Sequence, residues 1–159
     1  MFIKSSLLAL ALVGVAAPAA AIDPASTGAL GVPANAIVGV WRTEASLGPC
    51  GTGTTTLQIR NILVFNAGGT MIEPIRPDAG RTDGAGVWSF NPVTREYSGW
   101  LIFDRFNADG SAAGSGRVER LLLMNNAGTQ MAGAVKAIFL APNGATQFEL
   151  CGHAVSTRQ

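Results

Sequence analysis

From Ile37 onward, short runs rich in β-branched and aromatic residues alternate with clusters of Gly, Asn and Asp. The clusters are Asn66-Ala67-Gly68-Gly69, Asp78-Ala79-Gly80, Asn91-Pro92, Asp109-Gly110, Asn126-Ala127-Gly128 and Asn143-Gly144. The last four begin about 17 residues apart, and none of the runs between them repeats with a helical period, so the pattern predicts regularly spaced strands and an all-β barrel or sandwich. Eight strands are predicted: Ile37–Thr43, Thr54–Phe65, Thr70–Ile75, Gly86–Phe90, Glu96–Phe106, Arg117–Asn125, Gln130–Leu140 and Thr146–Val155. Every connection after the second strand is short enough for a hairpin, which makes sequence neighbours antiparallel partners. An open meander of this kind would leave two strand edges exposed. Eight is also the number at which an up-and-down barrel closes around packed side chains or one small ligand. The expected fold is a closed, all-β, eight-stranded antiparallel up-and-down barrel.

The period-two faces refine this picture. In Glu96–Phe106 one face carries Tyr97, Gly99, Leu101, Phe103 and Arg105, and the other carries Ser98, Trp100, Ile102, Asp104 and Phe106. In Gln130–Leu140 the faces are Met131, Gly133, Val135, Ala137, Phe139 and Ala132, Ala134, Lys136, Ile138, Leu140. The small residues Ala132, Gly133, Ala134 and Ala137 leave space beside a long strand, either for a cavity or for Trp88 and Trp100 to fill. Taking the Tyr97 face as interior, the expected pocket lining is Trp88, Tyr97, Leu101, Phe103, Leu121, Leu123, Val135 and Phe139. A one-residue change of register would exchange the two faces.

Composition changes meaning once the N-terminus is set apart. Residues 1–21 hold one charge (Lys4), an apolar run from Leu7 to Ala17 and Ala19-Ala20-Ala21. This is the layout of a secretory signal peptide, too short for a membrane span, and without the cysteine that follows the apolar run in lipoproteins. Residues 22–35, rich in Pro, Ala, Gly and Ser, read as a flexible leader to a domain at 36–159. Without residues 1–21 the chain carries ten basic and ten acidic side chains, and its apolar fraction falls from 48% to about 43%, ordinary for a globular domain. A neutral chain has no electrostatic footprint for phosphate backbones or anionic lipid, which argues against nucleic-acid partners and stable membrane insertion. One His and two Cys do not suffice for the usual metal sites. In an exported chain, periplasmic or secreted, the lone pair Cys50 and Cys151 is expected as a disulfide. It closes a loop of about 100 residues and is worth up to ~4.7 kcal/mol by chain entropy. Such a bridge joins the two ends of the meander, which are neighbours only if the sheet closes.

Several motifs resemble a known family. Gly39-Val40-Trp41 at the first strand of an eight-stranded barrel resembles the lipocalin/calycin superfamily. There the Trp closes the barrel floor and stacks on a late-strand Arg, for which Arg117 or Arg120 is available. Cys50, Phe65-Asn66-Ala67-Gly68-Gly69-Thr70, Arg81-Thr82-Asp83-Gly84-Ala85-Gly86-Val87-Trp88, Asn107-Ala108-Asp109-Gly110 and Cys151-Gly152 extend the likeness to small exported bacterial lipocalin-like proteins, over nearly all of the chain after residue 21. Some relatives carry His where this chain has Ala85, which removes one acid/base candidate. The resemblance implies a barrel that binds a small, mostly apolar molecule; no cofactor is expected, and the chain is expected to be a monomer or weak homodimer.

Reactive side chains are few. His153, the only imidazole, shares a face with Cys151 and suits either a general base or a surface role. Asp104/Arg105 and Glu119/Arg120 lie on adjacent strands, with at most one of each pair inward. They read as cross-strand ion pairs outside the barrel, or as one interior charge orienting a polar ligand end. Arg81 lies in the longest loop, either solvated or holding an anion, and Tyr97 is the only phenol. No Ser–His–Asp order or phosphate loop is visible, and Gly84-Ala85-Gly86 precedes a strand, the wrong context for a dinucleotide fold. The rival to simple binding is a cofactor-free isomerase, cyclase or lyase. It requires one of Asp104, Glu119, Glu149, His153 or Tyr97 to point into a cavity. A packed barrel that associates through the Trp100/Ile102 face is the third possibility.

Overall fold

The computed structural model describes residues 34–76 and 79–159. The expected signal peptide at 1–21, most of the leader at 22–35 and Asp78 of one turn lie outside the described residues. A 3₁₀ turn, Ala34–Ile37, begins inside the segment read as leader and runs into β1 (Gly39–Pro49). There follow β2 (Leu57–Phe65), β3 (Thr70–Glu73), β4 (Gly84–Asn91), β5 (Glu96–Phe106), β6 (Ala112–Met124), β7 (Gln130–Leu140) and β8 (Thr146–Arg158). Each strand pairs antiparallel with the next, and β8 returns to pair with β1, closing an eight-stranded up-and-down barrel. The architecture is the expected one, and it is consistent with a lipocalin-like fold.

β5 and β7 have the expected bounds; several other strands reach further. β1 continues to Pro49 instead of Thr43, because Ala45 and Leu47 prolong the inward row begun by Trp41 and Thr43. Its partner β8 accompanies it down to Leu150. β6 begins at Ala112 rather than Arg117, and β8 runs to Arg158 rather than Val155. The Gly68-Gly69 turn works as expected: both residues hold φ near +90°, which is strained for side chains with a Cβ. Gly116 serves a different end. A Cβ there would stand 2.2 Å from the Phe103 ring, so its absence makes room for that ring inside the barrel.

One end of the barrel is sealed. Trp41 is fully buried and its Nε1–H donates to the Ile37 carbonyl at 2.7 Å, pinning the 3₁₀ turn across the opening. The guanidinium of Arg158 lies 4.3 Å over the Trp41 ring. Arg158 donates from Nε to Gly128 O (2.8 Å), from Nη1 to Val38 O (2.9 Å) and from Nη2 to Ala36 O. Its charge is therefore covered on three sides by carbonyl dipoles and on its face by a π cloud. The late-strand arginine is thus Arg158, neither Arg117 nor Arg120: only the last strand brings its final residues beside the start of the first. Above this plug sit Phe65, Met71, Trp88, Phe90, Tyr97, Leu122 and Met131. Thr43 and Ser156 share a buried hydrogen bond of 2.8 Å across the β1–β8 seam.

Cys50 and Cys151 form the expected disulfide, with Cα atoms 4.8 Å apart. Cys151 faces outward beside Gly48, its ladder partner, so the bridge clasps the seam at the end opposite Trp41. Replacing both residues (Cys50→Ser/Cys151→Ser) is expected to lower stability in urea by about 2–5 kcal/mol while leaving the fold cooperative. Burial pushes the Tyr97 hydroxyl up to about 12, with nearby Arg158 acting in the opposite sense. Because the folded state holds this proton more tightly, Tyr97's contribution to stability is complete below pH ~10 and is lost as pH rises through about 12. As the sole tyrosine, its ultraviolet tyrosinate signal should titrate near 12 in the folded chain and near 10 once unfolded.

Candidate ligand cavity

Above the floor the interior is not filled. A cavity of about 740 Å³ opens at the end formed by the tails of β1, β3, β5 and β7 and the starts of β2 and β6. Its apolar walls are Ala45, Leu47, Ile59, Phe103, Val118, Val135, Ala137 and Phe139. Trp100 points outward and Trp88 packs near the floor with its indole donating to Asn66 O at 3.0 Å, so neither fills the space beside β7. Phe139 stacks on Phe148 at 4.4 Å, and Arg105 lies 5.3 Å over the Phe139 ring while donating to Ala113 O and Gln147 Oε1 at 3.0 Å each. These groups form the rim.

Charge lies beneath this rim. Glu73, inward on β3 in the same row as Met71, is buried. One of its oxygens accepts from Arg81 Nη2, and the other lies 3.5 Å from Arg120 Nη2. Arg81 reaches inward because its segment docks on β5: it forms a bridge with Arg105, and Thr82 N–H donates to Asp104 O at 3.0 Å. Its guanidinium then rests 4.1 Å over the Phe103 ring that Gly116 accommodates. Arg120 comes from the centre of β6, opposite Gly99 and Val135. Burial pushes its guanidinium below the ordinary arginine value, Glu73 opposes that change, and Arg81 adds to it. Two cations share one carboxylate, so the cluster carries one uncompensated positive charge. Arg81 Nη1, Arg120 Nε and Arg120 Nη1 are buried with no hydrogen-bond partner, as is Asn61 Oδ1.

The residues expected to line a pocket divide into three groups. Phe103, Val135 and Phe139 line the cavity. Trp88, Tyr97 and Leu101 face inward but pack in the core away from its lining, with Tyr97 4.7 Å from Phe90 and 6.2 Å from Trp88. Leu121 and Leu123 do not belong inside: they are 44% and 54% exposed on the outer wall, and the inward residues of β6 are Val118, Arg120 and Leu122. A β-bulge is the reason. Continued from Phe106↔Ala112 without interruption, the ladder would set Tyr97 opposite Leu121. The register shift between Arg105 and Phe106 inserts one residue into β6 and sets Tyr97 opposite Leu122.

The carboxylate and imidazole candidates face away, and of the acid/base candidates only Tyr97 turns inward. Asp104 and His153 lie exposed on the outer wall, and Glu119 and Glu149 pair there with Arg117 (2.9 Å) and Lys136 (3.0 Å). Each Asp/Arg and Glu/Arg pair does send only one member inward, and in both it is the arginine. Ala85 is exposed too. Val87, Trp100, Ile102 and Leu121 form an exposed apolar stripe on the same wall, with Arg117 4.7 Å over the Trp100 ring. Glu73 was missed by sequence reasoning, although its spacing of two from Met71 placed a carboxylate on an inward row. Among the described residues no cluster of three His, Cys, Asp or Glu could hold a metal.

No protein-family model and no curated protein matches this chain. The site therefore stands on its own geometry. Glu73→Gln would leave Arg81 and Arg120 facing each other without a counter-charge and should destabilise the barrel by about 3 kcal/mol in urea unfolding. Replacing the whole cluster, Glu73→Leu with Arg81→Leu and Arg120→Leu, should recover most of that loss, since the desolvation of all three charges is then removed together.

Proposed function

We propose that this protein is an exported, lipocalin-like barrel that binds a small, mostly apolar molecule without transforming it. The observation that carries this reading is the open cavity of about 740 Å³ above a sealed floor. Its volume falls in the range of about 300–1,000 Å³ that suits drug-sized ligands, and aromatic and aliphatic walls with a few polar groups are the usual composition of such sites. Among the described residues, the one carboxylate facing the cavity is held by two arginines, which favours binding over isomerase, cyclase or lyase chemistry. Both oxygens of the inward Glu73 face guanidinium groups, and Tyr97 lies beneath the cavity with its proton held to about 12.

Export is supported by the disulfide, which forms and persists in oxidising compartments. Among the described residues no helix is long and apolar enough to cross a membrane. The outer wall carries Arg42, Glu44, Arg60, Arg117, Glu119, Lys136 and Glu149, and lipid-facing Arg or Lys costs about 2–4 kcal/mol at the bilayer midplane. Those charges favour a barrel surrounded by water.

Fluorescence titration with Nile red, an uncharged solvatochromic dye, tests the reading. The dye should bind with a blue shift, and Val135→Trp or Ala137→Trp, which fill the cavity, should weaken binding at least about tenfold. Leu121→Ser and Leu123→Ser, on the outer wall, should leave it unchanged. Absence of binding, or binding sensitive to the outer-wall variants alone, would overturn the proposal.

A further inference from the structure

We infer that the molecule taken into this cavity is an amphipathic monoanion, an apolar body bearing one carboxylate-type oxyanion, and that Arg120 and Arg81 receive the anionic end. The inference rests on the cavity being a binding site and specifies what that site selects.

Three observations converge on it. Arg120 and Arg81 both line the cavity, and among the described residues only one carboxylate, Glu73, stands against their two charges. A buried cation without a full counter-charge is costly, so the cluster is set up to accept one more negative charge. The donors for it are present: Arg81 Nη1 and Arg120 Nε and Nη1 are buried and unpartnered, although guanidinium N–H groups in low dielectric bind an oxyanion more strongly than a neutral acceptor. The remaining unpartnered atom, Asn61 Oδ1, is an acceptor and suits a neutral donor on the ligand rather than the anion. Finally, the surroundings dictate the rest of the molecule. Val118, Val135, Ala137, Phe103 and Phe139 offer an apolar body no polar partner, whereas a compact inorganic anion would leave those walls uncovered. Glu73 sharpens the choice, since it repels a second negative charge and so disfavours dianions.

Isothermal titration with matched probes tests this: decanoate against decanol, naphthoate against naphthol, and decyl phosphate as the dianionic arm. Each carboxylate should bind about tenfold or more tightly than its neutral counterpart, with decyl phosphate weaker than decanoate at neutral pH. Arg120→Gln should bring the carboxylate-to-alcohol ratio toward one, and Arg81→Gln, outside the strands, provides the same readout if the first variant fails to fold. Arg117→Gln on the outer wall should keep the wild-type ratio. Equal affinity of each pair in the wild-type protein would overturn the inference and leave simple apolar binding standing. A preference that survives both cavity substitutions would also overturn it, and a chain that binds neither member of either pair would overturn both readings. Tighter binding of decyl phosphate than decanoate would replace the monoanion with a phosphate-bearing ligand.

Discussion

The ladder from Trp41↔Arg158 to Pro49↔Leu150 turns an open meander into a barrel. Without it β1 and β8 would each present an unsatisfied backbone edge. The two residues that plug the floor would also part, because Trp41 comes from the first strand and Arg158 from the last. The seam is reinforced at three levels: Arg158 over Trp41 at one end, the buried Thr43–Ser156 hydrogen bond within, and the Cys50–Cys151 bridge at the other end. Closure is also what creates an inside, so the cavity and its charges exist only because this seam holds.

Along the barrel axis the interior changes character. The floor is aromatic and buried, and its cation, Arg158, is covered by carbonyls and an indole face. The middle carries a second kind of buried cation, with fewer hydrogen-bond acceptors than donors. Both arrangements hold arginine in low dielectric, but the first is complete and the second is not. That contrast separates a structural arginine from a candidate ligand-binding one more clearly than burial does, because both residues are largely shielded from water.

Much of the fold was legible in the chain. Turn clusters of Gly, Asn and Asp located the hairpins, and the bounds of β5 and β7 followed from their alternation. Two cysteines at opposite ends of the meander pointed to closure. The inward face of β5 was readable because Tyr97, Leu101 and Phe103 contrast with Ser98 and Asp104. β6 was not readable in the same way: Leu121-Leu122-Leu123 is apolar at both parities, and charges also occupy both, with Glu119 on one and Arg120 on the other. A single bulged residue then decided which set went inside.

The sequence by itself determined an all-β meander, its disulfide and its near-neutral charge, because turn chemistry, period-two alternation and cysteine count are local properties. Tertiary structure alone decided the register of β6 and the inward turn of Arg81. It also set Arg158 as the partner of Trp41 and gathered Glu73, Arg81 and Arg120 around a cavity. Each of these depends on which residues of distant strands stand side by side, and that is set by closure and by a bulge whose position no local pattern records.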